Sequence, residues 1–414
     1  MTPNSASEVG TRHRDPSSDF ATSNIVSVFH RQDSQSRFHY SPRLQTSKHR
    51  FSMRTQGQTI LITGVSGYLA THVVDHFLRA GYSVRGTVRS AETAQKVHRN
   101  FPQYAETKQL TFAIVPDVSV EGAFNEAIEG VHGVIHTATP FQTDVQDVQR
   151  DLLDPAINGT LNIMRAVHAY APAVSRVVLT SSFYAMIDMS KGKWPGHTYS
   201  EADWNPATVE DAIAPGAGGD LAYAVAKTVA ERAAWEYTDE KTPHFDIAVI
   251  LPSMLYGPNL NAAADINKLN GSLADFYHLM LPGNKSTDLV PENDHYSFVD
   301  VRDVAEAHLR AFENPHAGGQ RFFVSKGYCT YQKFVDILRD AMPEIKDRVP
   351  ANALGRTFDP ASVYGSDVQR SERVLGLEYR DLRETIVDMA RSLLELEKKS
   401  KTTLSNTESW SPFQ

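Results

Sequence analysis

Apolar residues begin to recur regularly at Gln58. Thr59-Ile60-Leu61-Ile62-Thr63 is a short apolar run closed by Gly64, as expected of a buried strand. From Tyr68 to Ala80 the apolar positions Leu69, Val73, Val74, Phe77 and Leu78 return at helical spacing, and Gly81 supplies the stop. Residues 83–88 alternate as a strand, and a polar helix begins near Ala91. Further strands are predicted at 110–115, 133–137, 177–180 and 246–250, with helices between them, notably 156–168 and 222–237. Apolar strands alternating with helices predict an α/β fold, a Rossmann-type doubly wound parallel sheet.

After Pro252 the alternation weakens. Residues 257–296 hold polar stretches and short helical pieces such as 273–281. Residues 299–312 read as a strand end running into a helix, 321–324 as a strand and 331–341 as a helix. The last amphipathic helix covers about 382–396, and the tail from Lys398 is polar. The C-terminal half thus predicts a smaller lobe.

The 414 residues, 41% hydrophobic and 22% charged, suffice for one large domain or a domain with a second lobe. A single cysteine, Cys329, excludes a disulfide framework and a Cys-based zinc site. A net charge of −8 gives no long-range pull toward nucleic acid or anionic membrane. No apolar run approaches the roughly 20 residues that span a bilayer. These features predict a soluble, cytoplasmic protein with neither nucleic acid nor membrane as partner.

Residues 1–55 differ from the rest. They hold 8 Lys/Arg against 4 Asp/Glu, leaving 33 against 45 elsewhere, a net of −12. They are rich in Ser and His and show no periodicity, so a disordered extension is expected. Met53 stands as a natural initiator just before the first strand. A mitochondrial presequence is the alternative, opposed by Glu8, Asp15, Asp19 and Asp33.

Gly64-Val65-Ser66-Gly67-Tyr68-Leu69-Ala70 closes the first strand and opens the first helix. Gly64 permits the sharp turn, Gly67 lets the backbone approach a pyrophosphate at the helix N-terminus, and Ala70 is small enough for close helix–strand packing. The GxxGxxA spacing alone is a weak signal, strengthened here by the strand before it and the amphipathic helix after it. The second strand ends at Thr87-Val88-Arg89-Ser90 without the acid that binds the ribose hydroxyls of NAD. Arg89 can pair with a 2′-phosphate instead, with Lys96 as a second cation, so the expected cofactor is NADP(H).

Tyr223 and Lys227 stand four apart in a helical stretch, with Cβ atoms about 5–6 Å apart on one face. A free phenol has a pKa near 10, and a neighbouring ammonium is expected to lower it, letting Tyr223 exchange protons with a substrate. One strand–helix unit earlier, Thr180-Ser181-Ser182 ends a central strand where ligands bind. Ser182 can hydrogen-bond a substrate carbonyl; Ser181 can do so too, or satisfy backbone groups.

His136 and His308 lie in apolar stretches and read as structural, and the 16 histidines include no HxH or HExxH pair, so no metal is expected. Cys329 has no base nearby in sequence, and Asp300 and Asp303 read as helix caps. Trp204 reads as a loop anchor at the rim of the site or as ordinary packing.

The chain resembles the extended short-chain dehydrogenases/reductases of the NAD-dependent epimerase/dehydratase superfamily, from Gln58 to about Leu396. Within them it is most similar to the fungal NADPH-dependent aldehyde and ketone reductases of the methylglyoxal/isovaleraldehyde reductase type. Dihydroflavonol and cinnamoyl-CoA reductases are more distant. The stretches that carry the resemblance are His136-Thr137-Ala138-Thr139-Pro140-Phe141, Arg176-Val177-Val178-Leu179-Thr180-Ser181-Ser182, Glu201-Ala202-Asp203-Trp204-Asn205-Pro206 and residues 299–308.

The resemblance implies that Ser182, Tyr223 and Lys227 form the catalytic triad, with Tyr223 as proton donor, and that Asn158 completes its network. It implies cofactor contacts at Gly64, Ser66, Gly67, Tyr68, Leu69, Arg89, Asp117, Val118, Thr137, Ala138, Leu255 and Ser272, besides Tyr223 and Lys227. It also implies Lys96, which stands three residues farther from Arg89 than in the family's yeast member. Phe141, Phe183 and Met254 fall where the family's substrate pocket takes apolar side chains. The implied organisation is an NADP-binding Rossmann domain over 56–255 and a substrate lobe over 256–397 interleaved with it near 299–325; composition adds an extension over 1–55, outside the family pattern, and a flexible tail over 398–414.

The leading expectation is hydride transfer from NADPH to an aldehyde or ketone, in a monomer or homodimer, serving aldehyde detoxification or fungal secondary metabolism. A sugar-nucleotide epimerase or dehydratase is the enzyme alternative. It needs basic residues for a diphosphate, and residues 257–296 contain only Lys268 and Lys285. A non-catalytic NADP-sensing regulator is the other alternative, and such proteins lack the Tyr/Lys pair that this chain keeps.

Overall fold

The computed structural model describes residues 57–105, 107–139, 145–261, 265–269, 271–281, 287–293, 295–351 and 358–408. In chain order the main elements are β1 (Thr59–Ile62), α1 (Tyr68–Arg79), β2 (Ser83–Val88), α2 (Ala91–His98), β3 (Leu110–Ile114), β4 (Gly133–His136), α3 (Asp154–Tyr170), β5 (Arg176–Thr180) and α4 (Gly219–Lys241). They continue with β6 (Asp246–Pro252), β7 (Met254–Tyr256), α5 (Gly271–Met280), β8 (Ser297–Asp300), α6 (Val301–Glu313), β9 (Gln320–Val324), β10 (Gly327–Tyr328), α7 (Tyr331–Ala341) and α8 (Leu382–Glu408).

Seven strands form one parallel sheet in the order β9-β6-β5-β4-β1-β2-β3. The order reverses between β1 and β4, so their carboxyl ends border the crevice where ligands bind in such sheets. On one face, Val73 and Phe77 of α1 pack with Val304 and Ala307 of α6. On the other, Ile163 and Val167 of α3 pack with Ala234 of α4 and the aliphatic strand residues. The central strands β1, β4, β5 and β6 are buried on both faces, which explains their near-continuous apolar sequences, whereas β2 alternates and edge strand β3 is partly exposed.

The second lobe has its own core, in which Phe276, Phe334 and Leu393 meet. Its three-stranded sheet runs β10-β8-β7, with β8 parallel to β7 and antiparallel to β10. The chain then returns to the first lobe: α6 covers α1, and β9 adds to β6 at the edge of the main sheet. Asp300 caps α6 by accepting from the Arg302 amide, and Asp303 pairs with Arg380.

The last helix corrects the sequence reading. It extends to Glu408 rather than ending near Leu396, because no Gly or Pro interrupts residues 382–408. No helix among the described residues is long and apolar enough to cross a membrane. None of their His, Cys, Asp and Glu side chains group in threes suited to a metal ion.

Candidate active site

The Gly64 turn is built by three strand ends. Gly64 has φ +68°, and a Cβ there would lie 3.1 Å from Ala138 Cβ, so both backbone and space demand glycine. The Gly64 amide donates to Thr87 Oγ1, and the Val65 amide to the Thr87 carbonyl. Thr63 Oγ1 accepts from the amides of Thr137 and Ala138. These bonds hold the carboxyl ends of β1, β2 and β4 in register around the crevice.

Gly67 precedes α1 with no side-chain cap, so the first amides of the helix remain available to an anion. Ser66 is exposed and its carbonyl accepts from Asn261. The Tyr68 hydroxyl is turned away, donating to the Gly257 carbonyl at 2.8 Å, while Leu69 packs in the core. For Tyr68 and Leu69 the backbone, not the side chain, is what the turn offers a ligand.

Arg89 is exposed just beyond β2, and its charge helps lower the Asp117 carboxyl below its usual range, after hydrogen bonds from Ser119. Val118 lies against Gly159 of α3. Lys96, by contrast, is ion-paired to Glu92 at 2.8 Å on the solvent face of α2. The structure therefore clusters Arg89 with Asp117 and leaves Lys96 engaged elsewhere.

At the end of β5 the two serines diverge. Ser182 forms a hydrogen bond with Tyr223, whereas Ser181 Oγ donates to buried Glu231 Oε2 at 2.6 Å. Lys227 Nζ donates to Thr139 Oγ1 and to the Thr180 carbonyl, both at 3.2 Å, and lies 5.9 Å from the Tyr223 ring centroid. A cavity of about 20 Å³ beside Lys227, walled by His136, Thr160 and Glu231 among others, has room for one water.

The electrostatics correct the expectation for Tyr223. Burial dominates and pushes the phenol above its ordinary value, with only the Ser182 hydrogen bond pulling it back. The same burial lowers Lys227 to about 8, against the attraction of Glu231. Tyr223 is thus held protonated, the form that a proton donor needs.

Other expected residues are distributed less simply. Asn158 is exposed on α3; one turn later buried Asn162 donates to the carbonyls of Val118 and Val120. Among the described residues no hydrogen bond joins Asn158 to Ser182, Tyr223 or Lys227. Ser272 is buried and donates to the Leu255 carbonyl, and Met254 packs beside the second core. Phe141 lies outside the described residues. Phe183 faces the core, stacked on Phe323 at 5.1 Å, because the 3-10 turn at Phe183–Ala185 directs it inward.

The same turn presents Tyr184, which the sequence reading passed over, to Tyr223. Thr139 and Glu231 were also passed over. Glu231 stands four residues after Lys227, and that helical spacing was a usable signal. Trp204 proves to be a clamp, with the guanidinium carbons of Arg321 and Arg232 at 3.7 and 4.5 Å from its ring centroid. His308 bonds Thr180 Oγ1 and the Val304 carbonyl, and buried Cys329 has its thiol pushed well up.

The profile of the NAD dependent epimerase/dehydratase family matches residues 60–324. A ketoreductase of Aspergillus niger, azaE, is 34% identical over 348 residues, covering 83% of this chain and 99% of its own. The NADPH-dependent methylglyoxal reductase GRE2 of Saccharomyces cerevisiae is 35% identical over 359 residues, covering 82% and 99%. The crystal structure of the yeast methylglyoxal/isovaleraldehyde reductase Gre2 with NADPH superposes with a TM-score of 0.73 at 33% identity, over 82% of this chain and 99% of that one.

Proposed function

The chain belongs to the NAD dependent epimerase/dehydratase family, and from that premise we propose that it reduces an aldehyde or ketone to an alcohol through Ser182, Tyr223 and Lys227. At the level of the family it is an oxidoreductase, an NADPH-dependent carbonyl reductase that binds NADP(H). The observation that carries the assignment of roles is the hydrogen-bonded Ser182–Tyr223 pair beside Lys227 at the carboxyl end of β5.

The residues present fit the dinucleotide. The uncapped start of α1 suits a pyrophosphate, and Gly64 keeps the backbone clear of side chains. Arg89, without an acid at that strand end, suits a 2′-phosphate. When bound, NADPH supplies the hydride.

The chain's own groups do the rest. Ser182 orients the carbonyl oxygen, and Tyr223 delivers its proton there as negative charge develops. The Lys227 ammonium, fixed by Thr139 and the Thr180 carbonyl, stabilises the phenolate left behind. Met254, beside the second core, contributes apolar contact to the substrate. The relatives' names, a ketoreductase and a methylglyoxal reductase, support a carbonyl substrate, and we propose that it comes from secondary metabolism or aldehyde detoxification. A screen of aldehydes, diketones and aromatic ketones, followed by NADPH absorbance, tests this: turnover of at least one class is expected. Absence of any carbonyl-dependent oxidation contradicts it.

A further inference from the structure

Tyr184 touches both hydroxyl-bearing members of the site. Its amide donates to Ser182 Oγ at 3.2 Å, and its ring packs edge-on against Tyr223, with centroids 5.4 Å apart and planes at 77°. Its own position is fixed from two sides. Asn205 Nδ2 donates to the Tyr184 carbonyl at 3.1 Å. The Tyr184 hydroxyl and His295 Nε2 are 2.7 Å apart, with the two rings at 5.2 Å.

His295 belongs to the other lobe. Asn293 Nδ2 donates to the His295 carbonyl, and Asn293 Oδ1 accepts from the Tyr331 amide at the start of α7. An unbroken chain of contacts therefore runs from α7 through Asn293, His295 and Tyr184 to the Ser182–Tyr223 pair.

From this chain we propose that Tyr184 and His295 are positioning residues, whose mutual hydrogen bond aims the Tyr223 phenol and ties it to the substrate lobe. The proposal rests on Tyr223 being the proton donor. Ser182 restrains only the hydroxyl end of Tyr223, and α4 only the Cα end; the ring's tilt between them is set by what packs on its face. Tyr184 is one such contact, beside Lys227, and its hydrogen bond to His295 fixes the angle at which its ring meets Tyr223. A misplacement of the reacting group by about 1 Å costs on the order of 10²-fold in rate, so losing one restraint is expected to slow proton delivery by a smaller factor, about 3- to 10-fold.

The test is the single-turnover rate of carbonyl reduction by the NADPH-loaded full chain. Tyr184→Phe and His295→Leu each remove the same hydrogen bond and should slow that rate by the same factor. The double variant should be no slower than either single one, because one interaction is lost in all three. His295→Gln, whose amide reaches the place of Nε2, should restore the rate. NADPH affinity should stay within about twofold throughout, which a general loss of structure would not leave intact. If one single variant melts early, the other, set against the parent and His295→Gln, carries the test.

Additive losses in the double variant, or rates within about twofold of the parent in both single variants, overturn the proposal. Tyr223→Phe run alongside separates the two ideas. If that variant is inactive while Tyr184→Phe is unaffected, the positioning role fails and the proton donor stands. If Tyr223→Phe itself stays active, the underlying assignment fails.

Discussion

Ser181 and Glu231 form a buried hydrogen bond of 2.6 Å, which turns the first serine of the strand end into the protein and away from Tyr223. Glu231 also holds Arg321 at 2.6 Å and Trp235 at 3.2 Å. Adjacent serines at one strand end thus have different work: one completes a buried ionic network, and the other meets Tyr223. Ser182→Ala should lower turnover by about 10- to 100-fold at unchanged melting temperature. Ser181→Ala should leave most of the turnover but cost about 1–3 kcal/mol of stability, the expected price of a missing partner for a buried carboxylate. Paired kinetics and thermal melts check this; equal kinetic losses in both variants would contradict the division of roles.

Cofactor choice should depend on Arg89 and hardly on Lys96. A charge-assisted contact to a phosphate contributes about 1.5–3 kcal/mol, or roughly 10- to 150-fold in affinity. Arg89→Ala should weaken NADPH by that factor and leave NADH nearly unchanged, as measured by fluorescence titration. Lys96→Ala removes a side chain already paired with Glu92 and should change NADPH affinity by less than about twofold. Equal NADPH and NADH affinities in the unmutated chain would reject the assignment.

The pH dependence of cofactor capture should report Lys227. A lysine is cationic below its pKa, and burial lowers this one to about 8. The charge is therefore lost as pH rises through 8, where an exposed lysine would keep it to about 10.4. The value of kcat/KM for NADPH, which reflects groups of the free enzyme, should decline above pH 8. A profile flat to pH 10 would contradict it.

Acid stability should be governed by buried neutral histidines. Burial lowers His72 and His308 to about 4 and His136 to about 3, against about 6.5 in an unfolded chain. The unfolded state takes up protons first, so the contribution of these groups is present above pH 6.5 and lost as pH falls toward 4. Asp303, raised to about 6 by burial, acts in the opposite sense, since protonation favours its folded form. The three histidines outweigh Asp303 and Glu313, whose carboxyl is also raised by burial, so the melting temperature should fall between pH 7 and pH 5. A constant melting temperature over that window would contradict the account.

The sheet was legible in the sequence because its central strands are buried on both faces and read as apolar runs, while β2 alternates. Strand ends shifted by only one or two residues, as at Arg176–Thr180 and Asp246–Pro252. The helix Tyr331–Ala341 was read with its observed ends, marked by the Thr330 cap. The glycine turn, the Ser182 strand end and the Tyr223–Lys227 spacing were equally visible, being local in sequence.

What escaped was set by contacts between distant segments. Nothing near residue 295 announces that His295 reaches Tyr184, 111 positions away. Periodicity cannot tell which of Phe183 and Tyr184 faces the core, because a short 3-10 turn has neither strand nor α-helical phase. The sign of the Tyr223 shift was also beyond sequence: helical spacing brings Lys227 close, but only burial decides that desolvation outweighs the cation.

The central claim is that Tyr223 donates the proton, and replacing it with Phe tests this most directly. The substitution deletes one hydroxyl and keeps the ring that packs against Tyr184. General acid catalysis contributes roughly 10²–10⁴-fold, so the single-turnover rate of carbonyl reduction should fall by that order. NADPH affinity should barely change, because the glycine turn, Arg89 and Asp117 lie elsewhere. A Tyr223→Phe enzyme that retained most of its reduction rate would contradict the account.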